Sequence, residues 1–192
     1  MDNGHFARLQ TQLLPKHVYF VETIDEYAPV KLEDPAITVM TDFRLKTPYS
    51  TVETTLIPAA LQQMKLSKVK SLFVVDHDDV IIGHISARDI QSTKATTAAQ
   101  YHDVKQSEVT VKMIMTPIHQ LHALHFDELS NARVGHIVRL LHELQVNYIF
   151  VLESGYEKIR GLFSVSRISL QLGENVMGDL SSQSVAEMSH VI

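Results

Sequence analysis

The chain has 192 residues, 45% of them hydrophobic and 20% charged, proportions that suit a folded globular protein with a sizeable core. A net charge of −5, from 17 basic and 22 acidic residues and without a basic arm or stripe, argues against electrostatic capture of nucleic acid. The lack of cysteine excludes disulfides and thiol catalysis and suits a cytoplasmic setting, and no apolar run approaches the ~20 residues of a membrane helix.

Residues 1–33 form a leader with no clear period and no basic-then-apolar secretory pattern. Asp34-Pro35 predicts a helix start, with Asp34 as cap and Pro35 at the first helical position, and a short helix through Met40. A turn-rich Lys46–Ser50 leads to a short strand near Val52. Ile57, Ala60, Leu61 and Met64 then fall at i, i+3, i+4 and i+7, the stripe of a helix packed on a core. Pro58 lies in its first turn, where a missing amide proton costs little. Leu72–Val75 and Val80–Ile85 read as two strands of a hairpin around Asp76-His77-Asp78-Asp79. Ser86 caps the helix that follows, and polar residues 91–107 read as the end of that helix and a linker. A tail covers 174–192, where Val185 and Met188 give a weak helical signal.

Much of this returns downstream. Leu72-Phe73-Val74-Val75-Asp76 reappears as Ile149-Phe150-Val151-Leu152-Glu153, a shift of 149 − 72 = 77. Met40-Thr41 reappears as Met115-Thr116, a shift of 115 − 40 = 75. Gly83–Ile90 reappears as Gly161–Ile168, and the helical stripe as Val134, Ile137, Val138 and Leu141, with Ser130 and Asn131 as candidate caps. A preserved core face marks a duplicated folding unit rather than a chance string. The expected organisation is a leader at 1–33, a first unit with linker at 34–106, a second unit at 107–173 and the tail at 174–192. Each unit, at about 60 residues, barely buries a core alone, so the two are expected to pack together.

The ordered pieces, occurring twice, resemble a tandem pair of CBS (cystathionine-β-synthase) domains, a Bateman module. They are Met40-Thr41 and Met115-Thr116 ahead of each unit, the Leu72–Asp76 strand and turn, and Gly83-His84-Ile85-Ser86-Ala87-Arg88-Asp89. The last matches the family's Gly-apolar-x-Ser/Thr-x-x-Asp nucleotide motif, with His84 at the place of an apolar residue. The resemblance implies an α+β fold of two units related by pseudo-two-fold symmetry, each a small three-stranded sheet with flanking helices. It further implies a regulatory or sensory module that binds AMP, ADP, ATP or S-adenosylmethionine, forms a homodimer and acts on a regulated protein that the sequence does not identify.

The first unit carries the expected site. Asp89, one turn into a helix, is a carboxylate able to accept from both hydroxyls of a ribose. Gly83 lets backbone approach closely, Ser86 and the amides beside it suit phosphate or ribose oxygens, and Arg88 reaches for phosphate. By resemblance, Val69, Lys70 and Ser71 together with Thr41 to Phe43 form the adenine slot. Ser86 and Asp89 read equally as a helix cap and a first-turn acid. In the second unit Ser164 is kept, but Arg167 stands where the acid belongs, and a guanidinium donates without accepting. Three roles stay open for it: an empty second site, phosphate binding without the ribose grip, or service to the first site or a dimer mate.

His119, His122 and His125 are spaced by three on a predicted strand, where that spacing alternates faces, so no metal site is expected. No nucleophile elbow supports a hydrolase, and no enzymatic chemistry is expected. The competing expectation is a dimeric interaction module with vestigial nucleotide sites.

Overall fold

The computed structural model describes Leu13, residues 27–155 and residues 157–176. The elements run β1 (Thr41–Asp42), β2 (Ser50–Val52), α1 (Ile57–Leu66), β3 (Ser71–Val75), β4 (Ile81–Ser86), α2 (Ala87–Gln91) and α3 (Thr93–Tyr101). They continue with α4 (Val111–Ile114), β5 (Thr116–Pro117), β6 (Ala123–His125), α5 (Val134–Glu143), β7 (Tyr148–Leu152), β8 (Ile159–Ser164) and α6 (Val165–Leu172). The fold is α+β, with two four-stranded sheets ordered β2-β3-β4-β5 and β1-β8-β7-β6. No described helix is long and apolar enough to cross a membrane.

The sheets differ from the expected three strands because each takes a fourth from the segment that leads into the other repeat. β1 pairs antiparallel with β8, Asp42 opposite Gly161, and β5 pairs antiparallel with β4, Gly83 opposite Pro117. The glycines make this possible. A Cβ on Gly83 would lie 2.7 Å from the Thr116 carbonyl oxygen and 2.8 Å from Met115 Sδ, and one on Gly161 would collide with the Thr41 carbonyl. Gly83 therefore admits the crossing strand, where the sequence assigned its close approach to a ligand.

The cores follow the same exchange. The stripe Ile57, Ala60 and Met64 packs on Leu72, Val74 and Ile85 together with Val109, Val111 and Ile114 from the lead-in to β5. Val134, Ile137, Val138 and Leu141 pack on Ile149, Val151 and Phe163 together with Ala36, Val39 and Met40 from the lead-in to β1. Because strand side chains alternate faces, Phe73 and Phe150 point away from those helices and meet between the sheets at 5.6 Å between ring centroids, beside Leu162.

Local details depart from expectation in three places. Residues 36–39 form a single 3-10 turn with Pro35 at its N-cap, while the Asp34 carboxylate accepts from the Lys31 amide at 2.8 Å. The N-cap of α5 is Arg133 rather than Ser130 or Asn131, and His136 Nδ1 accepts the Arg133 amide at 2.9 Å. The predicted linker is largely helical: Ser92 Oγ caps α3 by accepting the Lys94 amide, and Ala95, Ala98 and Ala99 bury a narrow stripe in the first core. Val185 and Met188 lie outside the described residues.

Gly83→Ala and Gly161→Ala are each expected to lower the unfolding free energy by about 1–3 kcal/mol, the range for overpacking a filled site. Urea denaturation of the two variants measures this. Wild-type midpoints would remove close approach as the reason for these glycines.

Candidate ligand-binding cleft

Where the sheets meet, three stretches of chain enclose a cleft of about 630 Å³. β1 and the loop after it bring Thr41, Phe43 and Lys46. The segment between α1 and β3 brings Lys68, Val69, Lys70 and Ser71. The start of α6 brings Ser164 and Arg167. The buried rings and side chains of Phe73, His84 and Leu162 close the bottom, with Tyr148 beside them.

Each wall has a local cause. Beyond the C-terminal end of α1, Lys68 adopts a left-handed φ of 54° and the Val69 amide donates to the Met64 carbonyl, which turns the chain sharply into β3. β1 stands at the cleft because Gly161 admits it to the second sheet. Ser164 caps α6 by accepting the Arg167 amide at 3.3 Å, which directs the first turn of that helix at the cleft. The Arg167 guanidinium donates to Thr41 Oγ1 at 3.3 Å and to Gln171 Oε1 at 3.1 Å, and lies 5.4 Å from the centre of the Tyr27 ring.

The expected site residues thus divide. Thr41, Phe43, Val69, Lys70 and Ser71 share one cleft, joined by Ser164 and Arg167 of the second repeat. Gly83, Ser86, Arg88 and Asp89 do not line it. The sequence grouped slot and acid within one unit, whereas the strand exchange sets each closing helix against the pre-strand residues of the other repeat. Arg88 demonstrates the second such pairing by donating to Asn147 Oδ1 at 2.8 Å.

Asp89 is fully engaged. Its Oδ2 accepts from the Ser86 amide at 3.0 Å and from Ser86 Oγ at 2.5 Å, a capping box, and its Oδ1 pairs with Lys94 Nζ at 2.6 Å. Burial works to raise the Asp89 carboxyl, but the hydrogen bonds from Lys94 and Ser86 outweigh it and hold the group below the usual carboxylate range. His119, His122 and His125 are exposed along the turn before β6 and on β6 itself.

Sequence reasoning overlooked the cleft roles of Lys46, Lys68, Tyr148 and His84. As the counterpart of Ser71, 71 + 77 = 148, Tyr148 reads in the sequence as a bulkier wall of the second slot, whereas the structure places it in the same cleft as Ser71. His84 was noticed only as a mismatch in the motif. It is 3% exposed, with ring centroids 4.6 Å from Tyr148, 5.2 Å from Phe150 and 5.9 Å from Phe73. Its Nε2 is buried without a hydrogen-bond partner, and burial pushes its pKa from 6.5 down to about 4.

A pH dependence follows from that depressed value. The unfolded chain protonates His84 as pH falls through 6.5 while the folded chain holds it neutral until about 4, so stability is lost across that window. The loss amounts to about 3 kcal/mol at its limit. His84→Leu removes this contribution, so urea titrations at pH 5 and pH 7.5 (on the order of one unit either side of an ordinary histidine) should show a smaller acid loss in the variant. Equal acid losses in both proteins would contradict the assignment.

The CBS domain family model matches residues 38–94. Among solved structures, an uncharacterized conserved protein from Pyrococcus horikoshii is similar at 23% identity, covering 72% of this chain and 92% of its own, with a TM-score of 0.52. A conserved CBS domain protein of unknown function from Thermoplasma acidophilum is similar at 16% identity, with 74% and 75% covered and a TM-score of 0.52. A CBS-domain-containing protein from Agrobacterium tumefaciens is similar at 15% identity, with 79% and 96% covered and a TM-score of 0.52. No curated protein matches the chain. With the doubled pattern and the exchanged sheets, these matches show that residues 38–94 are similar to the CBS domain family and that the chain has the fold of CBS-domain proteins.

Proposed function

We propose that this chain is a regulatory module that takes an adenosine-containing ligand into the cleft between its two sheets and answers by a change of shape or assembly. One observation carries the reading: residues of both repeats converge on a single cleft of about 630 Å³, a volume within the usual range for small-molecule sites. Phe43, Tyr148 and the strand backbone before β3 offer apolar and stacking surface for a purine, while Arg167 and Lys70 offer donors for phosphate.

The location supplies the switching logic. A ligand seated there touches β1 and α6 of one sheet and the Lys68–Ser71 segment of the other, so its affinity depends on how the sheets stand to each other. It can drive a response only by binding one arrangement more tightly. Homodimer formation and a regulated partner protein belong to the same proposal, and no bond-making chemistry is part of it. The interaction-module reading is favoured by one fact, that the Asp89 carboxylate is already held by Ser86 and Lys94.

Thermal unfolding with millimolar ATP, ADP, AMP and S-adenosylmethionine separates the two. A ligand at 100 times its dissociation constant adds about 2.7 kcal/mol of stability. At least one of these compounds should raise the melting temperature and alter the sedimentation or small-angle scattering profile. No shift with any of them would favour the interaction module.

A further inference from the structure

Among its described lining residues, the cleft carries charge of the sign opposite to that of the chain as a whole. Against a net charge of −5, all the charged residues among its described lining are cations: Lys46, Lys68, Lys70 and Arg167. They come from three separate segments, so they surround the opening rather than mark one solvated face. α6 begins at the same place, and the dipole of a helix start favours a bound anion.

The repeat sharpens the chemistry. Arg167 occupies the position that Asp89 holds in the first repeat, 89 + 78 = 167. A ribose diol wants an acceptor, and none of the described lining residues is a carboxylate. A phosphate wants donors, which Arg167 and the lysines supply in charge-assisted form. At the bottom, the counterpart of Leu162 is His84, whose buried Nε2 has no partner. An unsatisfied polar atom in that position costs free energy unless a ligand or a water serves it.

We infer that the cleft recognises its ligand through a phosphate chain, and so selects nucleoside polyphosphates over the monophosphate and over S-adenosylmethionine, whose sulfonium is itself a cation. This rests on the reading that the cleft takes an adenosine-containing ligand, and it names which members of that class fit.

Calorimetric titration of the full chain tests it with ATP, ADP, AMP, S-adenosylmethionine and inorganic tripolyphosphate. Affinity should rise from AMP to ATP by about tenfold or more, with S-adenosylmethionine weakest. Tripolyphosphate should compete with ATP, and ATP affinity should fall about tenfold or more between low salt and roughly 0.5 M salt. Arg167→Glu and Lys70→Glu should each lose ATP binding about tenfold or more while Asp89→Ala keeps it, with circular dichroism confirming that the variants fold. Should Arg167→Glu fail to fold, the salt dependence and the tripolyphosphate competition decide alone. AMP or S-adenosylmethionine binding as tightly as ATP would overturn the inference and leave the adenosine reading intact. Tripolyphosphate binding without any adenosine ligand would support phosphate recognition and overturn the adenosine reading, and binding of none would overturn both.

Discussion

The close backbone approach at Gly83 and Gly161 is the constraint on which the arrangement of the two sheets depends. Each glycine lies in the middle of a strand that runs beside a two-residue neighbour from the other repeat, and each leaves no room for a side chain. Because β1 joins the second sheet and β5 the first, neither core is complete without the other repeat's lead-in. The same crossing carries Thr41 and Phe43 to the wall facing Arg167, so the cleft is a product of the exchange.

Polar contacts hold the crossing strand in place. Arg160 on β8 grips Asp42 on β1 through two hydrogen bonds of 2.8 Å, with the two side chains only 11% and 16% exposed. Arg160 also reaches Glu153 at 3.1 Å and stacks 4.5 Å from the centre of the Phe126 ring. A bidentate pair so shielded is worth more than an exposed one, and its planar geometry fixes strand register as well as proximity. The Arg160 hydrogen bonds hold the Asp42 carboxyl below its ordinary range against the effect of burial. Between the sheets the contacts are aromatic, Phe43 to Phe73 at 5.6 Å and Phe73 to Phe150 at 5.6 Å, with His84 as the polar intruder.

What could be read in the sequence is what depends on local period and on the repeat. The helical stripes of Ile57 and Val134, the hairpin strands from Leu72 and Ile149, and the Ser86 cap all follow from spacing and side-chain chemistry alone. The exchange was hidden because β1 and β5 are two residues long and their partners lie more than a hundred and about thirty positions away, respectively, distances over which pairing leaves no local period. Polar residues around Ala95, Ala98 and Ala99 masked a stripe of small residues that needs little apolar volume to pack. In the cleft, Val69–Ser71 and Thr41–Phe43 were expected from the family resemblance alone. Their facing partner was not, since geometry alone pairs them with Ser164 and Arg167 rather than with Ser86 and Asp89.

Asp89 and Arg167 are therefore alike in sequence position and unlike in situation. Asp89 serves its own helix and Lys94, while Arg167 fronts the cleft beside Thr41. The central claim is that ligand binding happens on the Arg167 side. Amide hydrogen exchange with and without saturating ATP locates the site directly. The account predicts added protection at Thr41–Phe43, Val69–Ser71 and the first turn of α6, with Ser86–Asp89 unchanged. Protection confined to Ser86–Asp89 and the Asn147 segment would contradict it.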